Sequence, residues 1–295
     1  FENNRKEHVA VRQDVGIFDQ SSFSKFLVQG KDSLTVLNRL ATANLDKPIG
    51  KVIYTQFLNV SGGVEADLTI TRLSETEFFV VTAAFTATHV YSWIKENIAG
   101  DQFCVITDVS GAYSMLNLQG PKSRDLLSTL TESSVMSNKS FPFGTSKTLE
   151  IGYQTATAVR ISYTGELGYE LYIPTEMTEY VYDKLVSEGK QFNLQHCGYH
   201  ALNSLRIEKA YREWAHDMGP RDTILECGLG FTCDLAKPGG FIGKEFILKS
   251  KQKPIRRRLV QFKLKEPEHL LFHNEPIVRN GSQVGYIMSA GYGFT

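Results

Sequence analysis

Two short stretches place carboxylates beside glycines. In NVSGGVEADLTITRL, residues 59–73, the chain turns at Gly62-Gly63 and Asp67 follows four residues later, at the start of an apolar run. In SYTGELGYEL, residues 162–171, Tyr163 and Glu170 read as the two arms of a turn that holds Gly165 and Gly168. Glycine permits a positive φ or a close backbone approach. A carboxylate shielded by apolar neighbours rises in pKa and can exchange a proton near neutrality. Residue chemistry alone leaves each motif with two meanings. The first is either a hairpin with solvated charges or a carboxylate held at a pocket. The second is either an ordinary hairpin with a surface Glu or a partly shielded acid beside a tyrosine.

Other chemistries find little support. No G-x-S-x-G elbow occurs, and His8, His89, His196, His200, His216, His269 and His273 form no H-E-x-x-H. His196 and His200, four apart, fit a shared metal or the polar face of a helix start, and no metal is assigned. No G-x-G-x-x-G follows a strand, so a flavin or nicotinamide would need a binding domain outside these residues. Cys104, Cys197, Cys227 and Cys233 are scattered without C-x-x-C spacing and read as reduced structural thiols of an intracellular, reducing compartment. The 295 residues, 42% hydrophobic, suffice for one large or two to three modest cores. Lys plus Arg and Asp plus Glu both number 32, and a net charge of zero gives no electrostatic footprint for nucleic acid or an anionic membrane. No apolar run is long enough to span a bilayer as a helix.

The elements that would position the two acids follow from periodicity. A helix runs toward Gly16, a strand covers Phe23 to Val28, and Asp32 starts an amphipathic helix carrying Leu34, Leu37, Leu40 and Leu45. VIYTQFLNV, ADLTITRL and EFFVVTA read as an antiparallel meander, ATHVYSWIKENI as a helix and FCVITDVS as a strand. Residues 31–110 therefore form one α+β unit. YSMLNLQGPKSRDLLSTL repeats the strand–glycine–helix logic, with Leu126, Leu127 and Leu130 on one face. ATAVRISYTGELGYELYIP gives two strands about a turn, and MTEYVYDKLVSEGKQF and GYHALNSLRIEKAYREW give helices. In the latter, Glu208 and Arg212 form an i, i+4 pair that supports the helix. Gly239-Gly240 precedes a docking helix, and RRRLVQFKL begins a β-rich tail, with Arg256, Arg257 and Arg258 at a solvated strand edge. The first residues read as a helix under way and the last, VGYIMSAGYGFT, as a hairpin just begun, which suggests a piece of a longer polypeptide.

Six motifs in order then carry a resemblance: VRQDVGIFDQSSFSKF, YTQFLNVSGGVEADLT, LQGPKSR, SYTGELGYELYIP, ALNSLRIEKAYREW and FIGKE. Together they resemble the glycine-cleavage T-protein family, above all its fused relatives, the sarcosine and dimethylglycine dehydrogenases, and FTCDLAKP points the same way. The resemblance implies an α+β cloverleaf around a central folate cavity. It divides the chain into a folate-binding domain over 1–30 and 111–238, an inserted domain over 31–110, and an incomplete C-terminal β-barrel over 239–295. It implies tetrahydrofolate here and FAD in a preceding half. It also implies capture of a one-carbon unit as 5,10-methylene-tetrahydrofolate, an electron-transfer flavoprotein as acceptor, and a mitochondrial matrix location (cytoplasmic if bacterial). Asp67 corresponds to the acid that serves proton transfer at the pterin, Tyr163 and Glu170 to the pocket-lining turn, and Tyr54 to a wall of the cavity. Two departures separate the chain from stand-alone aminomethyltransferases: Ala66-Asp67 stands where they carry two acids, and Leu202 where they carry an Arg. A third relative, the regulatory subunit of pyruvate dehydrogenase phosphatase, is similar too but loses the acid that Glu170 supplies.

Overall fold

The computed structural model describes residues 1–295. Helix α1 (Glu2–Gln13) leads into strands β1 (Gly16–Asp19) and β2 (Ser24–Gln29) and helix α2 (Ser33–Leu40). Strands β3 (Val52–Leu58), β4 (Val64–Arg72) and β5 (Glu77–Thr82), helix α3 (Ala87–Glu96) and strand β6 (Val105–Asp108) follow. Next come β7 (Tyr113–Gln119), α4 (Ser123–Leu130), β8 (Ser146–Ile151), β9 (Gln154–Val159), β10 (Gly168–Pro174), α5 (Thr178–Gly189), β11 (Gln195–His196) and α6 (Tyr199–Glu208). Helix α7 (Lys244–Ser250) and strands β12 (Pro276–Arg279) and β13 (Ser282–Tyr286) complete the order.

The strands form a five-stranded sheet, β3-β4-β5-β2-β6, a six-stranded sheet, β11-β1-β7-β10-β9-β8, and a separate hairpin, β12-β13. Alternation along each strand decides what faces what. In β4, Ala66, Leu68 and Ile70 turn toward Val36, Leu37 and Leu40 of α2 and Val90 and Ile94 of α3. In β7 and β10, Leu116, Leu118, Leu171 and Ile173 pack on Leu126 and Leu127 of α4 and Val181 and Leu185 of α5. Each sheet therefore covers one face with helices. Their other faces meet through Val52, Phe79 and Val81 of the first sheet and Met115, Val159 and Tyr172 of the second, with Phe79 and Tyr172 edge-to-face at 5.1 Å. A third cluster ties Leu58 and Val64 to Met218, Ile224, Leu229, Phe241 and Ile247.

The α+β architecture is the expected one, and three local expectations need correction. Strand β2 pairs with β5 along its length and with β6 from Phe26 to Gln29, so the five-stranded unit begins before residue 31. Asp32 precedes α2 but does not cap it, because its Oδ2 accepts the Phe103 backbone N–H at 2.7 Å. Arg256, Arg257 and Arg258 lie outside any strand, and Arg257 is drawn to Asp222 at 2.9 Å and Glu226 at 3.4 Å. The C-terminal β unit is an open two-stranded hairpin, as an incomplete barrel implies.

Candidate functional site

The double glycine fastens β4 to a distant segment. Gly62 adopts φ 75°, and the Gly63 N–H donates to Asn59 Oδ1 at 3.0 Å. The Val64 N–H reaches Gly219 O and Asp222 O, both at 3.2 Å, while Trp214 Nε1 donates to Val64 O at 2.8 Å. A Cβ on Gly63 would stand 1.9 Å from Pro220 O, a backbone atom that cannot swing aside. Gly63→Ala is thus expected to cost ~2–3 kcal/mol by overpacking. Gly100→Ala, where a Cβ meets nothing within 4 Å, should be near neutral; urea unfolding of the two variants checks this.

From that anchor, period-two geometry carries Asp67 to the face opposite Ala66, toward the second sheet. Only one residue of an adjacent pair can face the gap, and Ala66 is packed against the helices. Gln56 stands opposite Asp67 on β3, and its Nε2 donates to Asp67 Oδ1 at 2.7 Å. The Tyr54 hydroxyl neighbours the same carboxylate. Burial pushes Asp67 up to about 6, against the lowering effects of Gln56 and Tyr54. The Tyr54 hydroxyl is in turn pushed well above its usual range, by burial first and by the Asp67 carboxylate second.

Tyr163 joins this pair from the loop between β9 and β10, not from a strand arm as its motif suggested. Its hydroxyl donates to Arg212 O at 2.8 Å, and its ring stacks on Tyr211 at 6.0 Å. Burial raises its pKa; the Arg206 guanidinium opposes this, and the charges of Glu213, Asp67 and Asp217 add to it. Tyr54, Asp67 and Tyr163 therefore form one neighbourhood with Arg212 at its edge.

Glu170 lies on the opposite sheet. It lies on β10 between Asn117 and Val159, on the face that carries Tyr172 into the contact between sheets. The Tyr172 hydroxyl donates to its Oε2 at 2.7 Å, and burial pushes the carboxyl up to about 7. A buried amide row continues the same face: Gln119 Nε2 donates to Asn117 Oδ1 at 2.5 Å and Asn117 Nδ2 to Gln20 Oε1 at 2.6 Å. Asp67 and Glu170 thus sit on the facing sides of two different sheets, each held by its own partners. Two carboxyls poised near neutrality can exchange protons with a bound nitrogen base.

Sequence reading missed several residues that shape this site. Gln56 was visible as the i+2 neighbour of Tyr54 on one strand face. Thr232, which bonds to Gln56 from 176 positions away, had no local signal. The expected Glu208–Arg212 pair does not form, because α6 ends at Glu208 and Ala210 turns left-handed at φ 54°. Glu208 instead holds Arg12 at 2.9 Å and His8 at 3.1 Å, and Arg212 donates to Cys227 O at 2.9 Å. Arg206 is buried with Asp217, Glu213, Asn203, Tyr211 O and Ser289 around its guanidinium. Leu202 packs with Val11, Phe18, Leu205 and Tyr163, an apolar underlay to the tyrosine. His196 lies on β11 bonded to the Tyr182 hydroxyl at 2.8 Å, and His200 lies in the first turn of α6. All four cysteines are free thiols.

A chain with this pair of facing sheets and an acid anchored by a double-glycine turn matches a known family along most of its length. The GCVT N-terminal domain matches residues 1–237, and the glycine cleavage T-protein C-terminal barrel domain matches residues 257–295. The chain belongs to the glycine cleavage T-protein family. It is 40% identical over 295 residues to 4-methylaminobutanoate oxidase (formaldehyde-forming) of Paenarthrobacter nicotinovorans, a match covering all of this chain and 36% of that protein. It is 35% identical over 305 residues to mitochondrial sarcosine dehydrogenase of Mus musculus, covering 99% of this chain and 33% of that one. The mitochondrial pyruvate dehydrogenase phosphatase regulatory subunit of Mus musculus is 34% identical over 302 residues, covering 100% of this chain and 34% of that protein. The crystal structure of glycine cleavage system aminomethyltransferase T from Bartonella henselae superposes with a TM-score of 0.87 at 24% identity, over 99% of this chain and 78% of that one, and shares its fold. The chain spans about a third of the length of these three curated relatives. No helix is long and apolar enough to cross a membrane.

Proposed function

We propose that this chain is the tetrahydrofolate-binding half of a flavin-dependent N-methyl amine dehydrogenase of the sarcosine or dimethylglycine type. In that role it takes up the one-carbon unit of the oxidised amine as 5,10-methylene-tetrahydrofolate. The observation that carries the reading is Asp67, bonded to the buried Gln56 amide at 2.7 Å beside Tyr54, where burial raises its carboxyl toward neutrality. A folate nitrogen must lose a proton as it bonds to an iminium carbon, and a carboxylate near neutrality is the matching base. Glu170 suits a two-point grip on an amino-pyrimidine edge, and Tyr54 and Tyr163 supply walls with a polar tip. Holding amine-derived carbon and folate together replaces a bimolecular encounter and keeps formaldehyde from water.

FAD has no fitting fold within these residues: apart from the short β1–β11 pair and an isolated bridge at Trp214 and Met218, the strand pairing is antiparallel. The oxidation is assigned to another part of the protein, with an electron-transfer flavoprotein as acceptor in a mitochondrial setting. The compartment follows the relatives, mitochondrial for sarcosine dehydrogenase and bacterial for the oxidase, and the free thiols suit either reducing interior.

Calorimetric titration with tetrahydrofolate tests the reading. Saturable binding by the wild type, weakened at least tenfold in Asp67→Ala, is expected. No binding by a folded wild type overturns it and favours a non-catalytic role like that named for the phosphatase regulatory subunit.

A further inference from the structure

We propose that Gln56 is the positioning residue for Asp67, and that its side-chain amide turns over as the carboxyl gains and loses a proton. This deepens the reading of Asp67 as the base and rests on it, but the arrangement itself is independent of what Asp67 serves. Gln56 is fully buried, with one end of its amide on Asp67 and the other on Thr232. Gln56 Nε2 lies 2.7 Å from Asp67 Oδ1, and Gln56 Oε1 lies 2.5 Å from Thr232 Oγ1. Thr232 Oγ1 also lies 2.8 Å from Leu229 O. A hydroxyl has one proton, so it can donate to only one of these two acceptors at a time.

That choice creates two closed arrangements. With Asp67 ionised, Gln56 Nε2–H donates to the carboxylate and Thr232 Oγ1–H donates to Gln56 Oε1. Leu229 O is then still served by the Thr232 backbone N–H at 3.0 Å. With Asp67 protonated, its O–H donates to Gln56 Oε1 after the amide rotates. Nε2–H then donates to Thr232 Oγ1, whose proton goes to Leu229 O. Oxygen and nitrogen of an amide are nearly equal in size, and its terminal torsion is soft. The rotation therefore needs no repacking. In neither state is a member of the Asp67–Gln56–Thr232 chain orphaned, so proton uptake avoids the cost of an unsatisfied buried group.

Thr42 fixes the frame: its Oγ1 accepts the Gln56 backbone N–H at 3.3 Å and lies 3.0 Å from Thr55 Oγ1. The other ionisable groups around the chain are Tyr54 on β3, Tyr163 and Arg212 beyond it, Cys233 beside Thr232, and Lys237 and Asp234 beyond Cys233. Glu65 with His89 lies one step along β4, and Glu170 stands on the facing sheet. An Asp67→Asn control therefore identifies which proton is read.

The test is NMR of the ¹⁵N-labelled chain, with the Gln56 amide assigned by its loss in Gln56→Leu. Both amide protons are expected to move in one transition with a midpoint near 6 that is missing in Asp67→Asn. Their Overhauser contacts should shift from the Tyr54 and Asp67 side above the midpoint to the Thr232 side below it. Thr232→Ser should keep the exchange of contacts and Thr232→Val should lose it, while Gln56→Leu should move the Asp67 midpoint up by about one pH unit. Contacts that stay the same on both sides of the transition, or an unmoved midpoint in Gln56→Leu, overturn the proposal. Failure to bind tetrahydrofolate would instead strike the functional reading and leave this transition in place.

Discussion

Asp67→Asn, placed in the full flavoprotein, is expected to leave flavin reduction intact while the one-carbon unit escapes as free formaldehyde. Methylene-tetrahydrofolate yield should fall by ~10²–10⁴-fold, the usual contribution of a positioned general base. Asparagine keeps the size and can still bond to Gln56, so the loss isolates the proton acceptor from the shape of the site. The wild-type capture step should rise with pH through about 6, because only the ionised carboxylate accepts a proton, and the asparagine variant should lose that limb. The same substitution has an opposite effect on stability. Burial holds the folded pKa above its value in the unfolded chain, so the fold prefers the neutral acid. The associated stability is present below the unfolded pKa and is lost as pH rises through about 6. Asparagine never carries the charge. Above that pH it should stabilise by on the order of 1 kcal/mol after discounting for the solvent that reaches this half-buried side chain. Thermal melts above and below the midpoint check the sign: a gain on the alkaline side only. Unchanged methylene-folate yield would remove Asp67 from the chemistry, and an unchanged melting temperature would mean that its burial is not strained.

Most of the fold was legible because its signals are local. Alternation in ADLTITRL and YSMLNLQ separates helix-facing from gap-facing residues, and the strand–glycine–helix turn at Gly30 recurs at Gly120. What the sequence hides is every choice made by a partner far along the chain. Asp32 sits where an N-cap belongs, yet Phe103, 71 residues on, takes its carboxylate. Glu208 and Arg212 have helical spacing, yet the helix stops between them and Arg12 claims the acid from 196 residues away. Alternation alone could not show that Val260, Phe262 and Leu264 find no neighbouring strand here and stay exposed.

The candidate site divides along the same line. Asp67 was marked by its turn and Tyr54 only by the family resemblance, and the structure makes them neighbours. Tyr163 and Glu170 were readable as a pair from their glycines, but the structure sends them to different tasks: Tyr163 to the Asp67 neighbourhood, Glu170 to the facing sheet. The layer behind Asp67, from Gln56 to Thr232, joins residues that no window of sequence holds together. Residues that carry the charge are marked by their neighbours in sequence; residues that orient them are marked only by the fold.

Arg206→Met is expected to destabilise the chain by ~3–5 kcal/mol, the cost of leaving a buried ionic partner alone. The Arg206 side chain is 4% exposed, and that of its partner Asp217 is 7% exposed. Its fork also reaches Tyr211 O at 3.0 Å, Glu213 at 3.2 Å, Asn203 at 2.9 Å and Ser289 at 2.9 Å. These contacts close the segment from Ala210 to Met218, in which Ala210 and Ala215 both hold positive φ at 54° and 71°. Non-glycine residues held there each cost of order 1 kcal/mol or more and persist only while their surroundings enforce them. Without the guanidinium the segment should relax, carrying away Arg212 O, which accepts the Tyr163 hydroxyl, and Trp214, whose Nε1–H donates to Val64 O beside the double-glycine turn. Lysine cannot substitute, since a single ammonium lacks the fork that spans five partners. Arg206→Lys should therefore recover only part of the loss. Asp217→Asn in the Arg206→Met background should recover another part by removing the orphaned charge, although Asp217 also accepts the Glu213 N–H at 3.0 Å. Urea midpoints of the single and double variants give the coupling, and tetrahydrofolate titration of whichever variants fold gives its consequence for the site. A Met variant as stable as wild type would show that the segment holds itself, and the positive-φ alanines would then need another source of support.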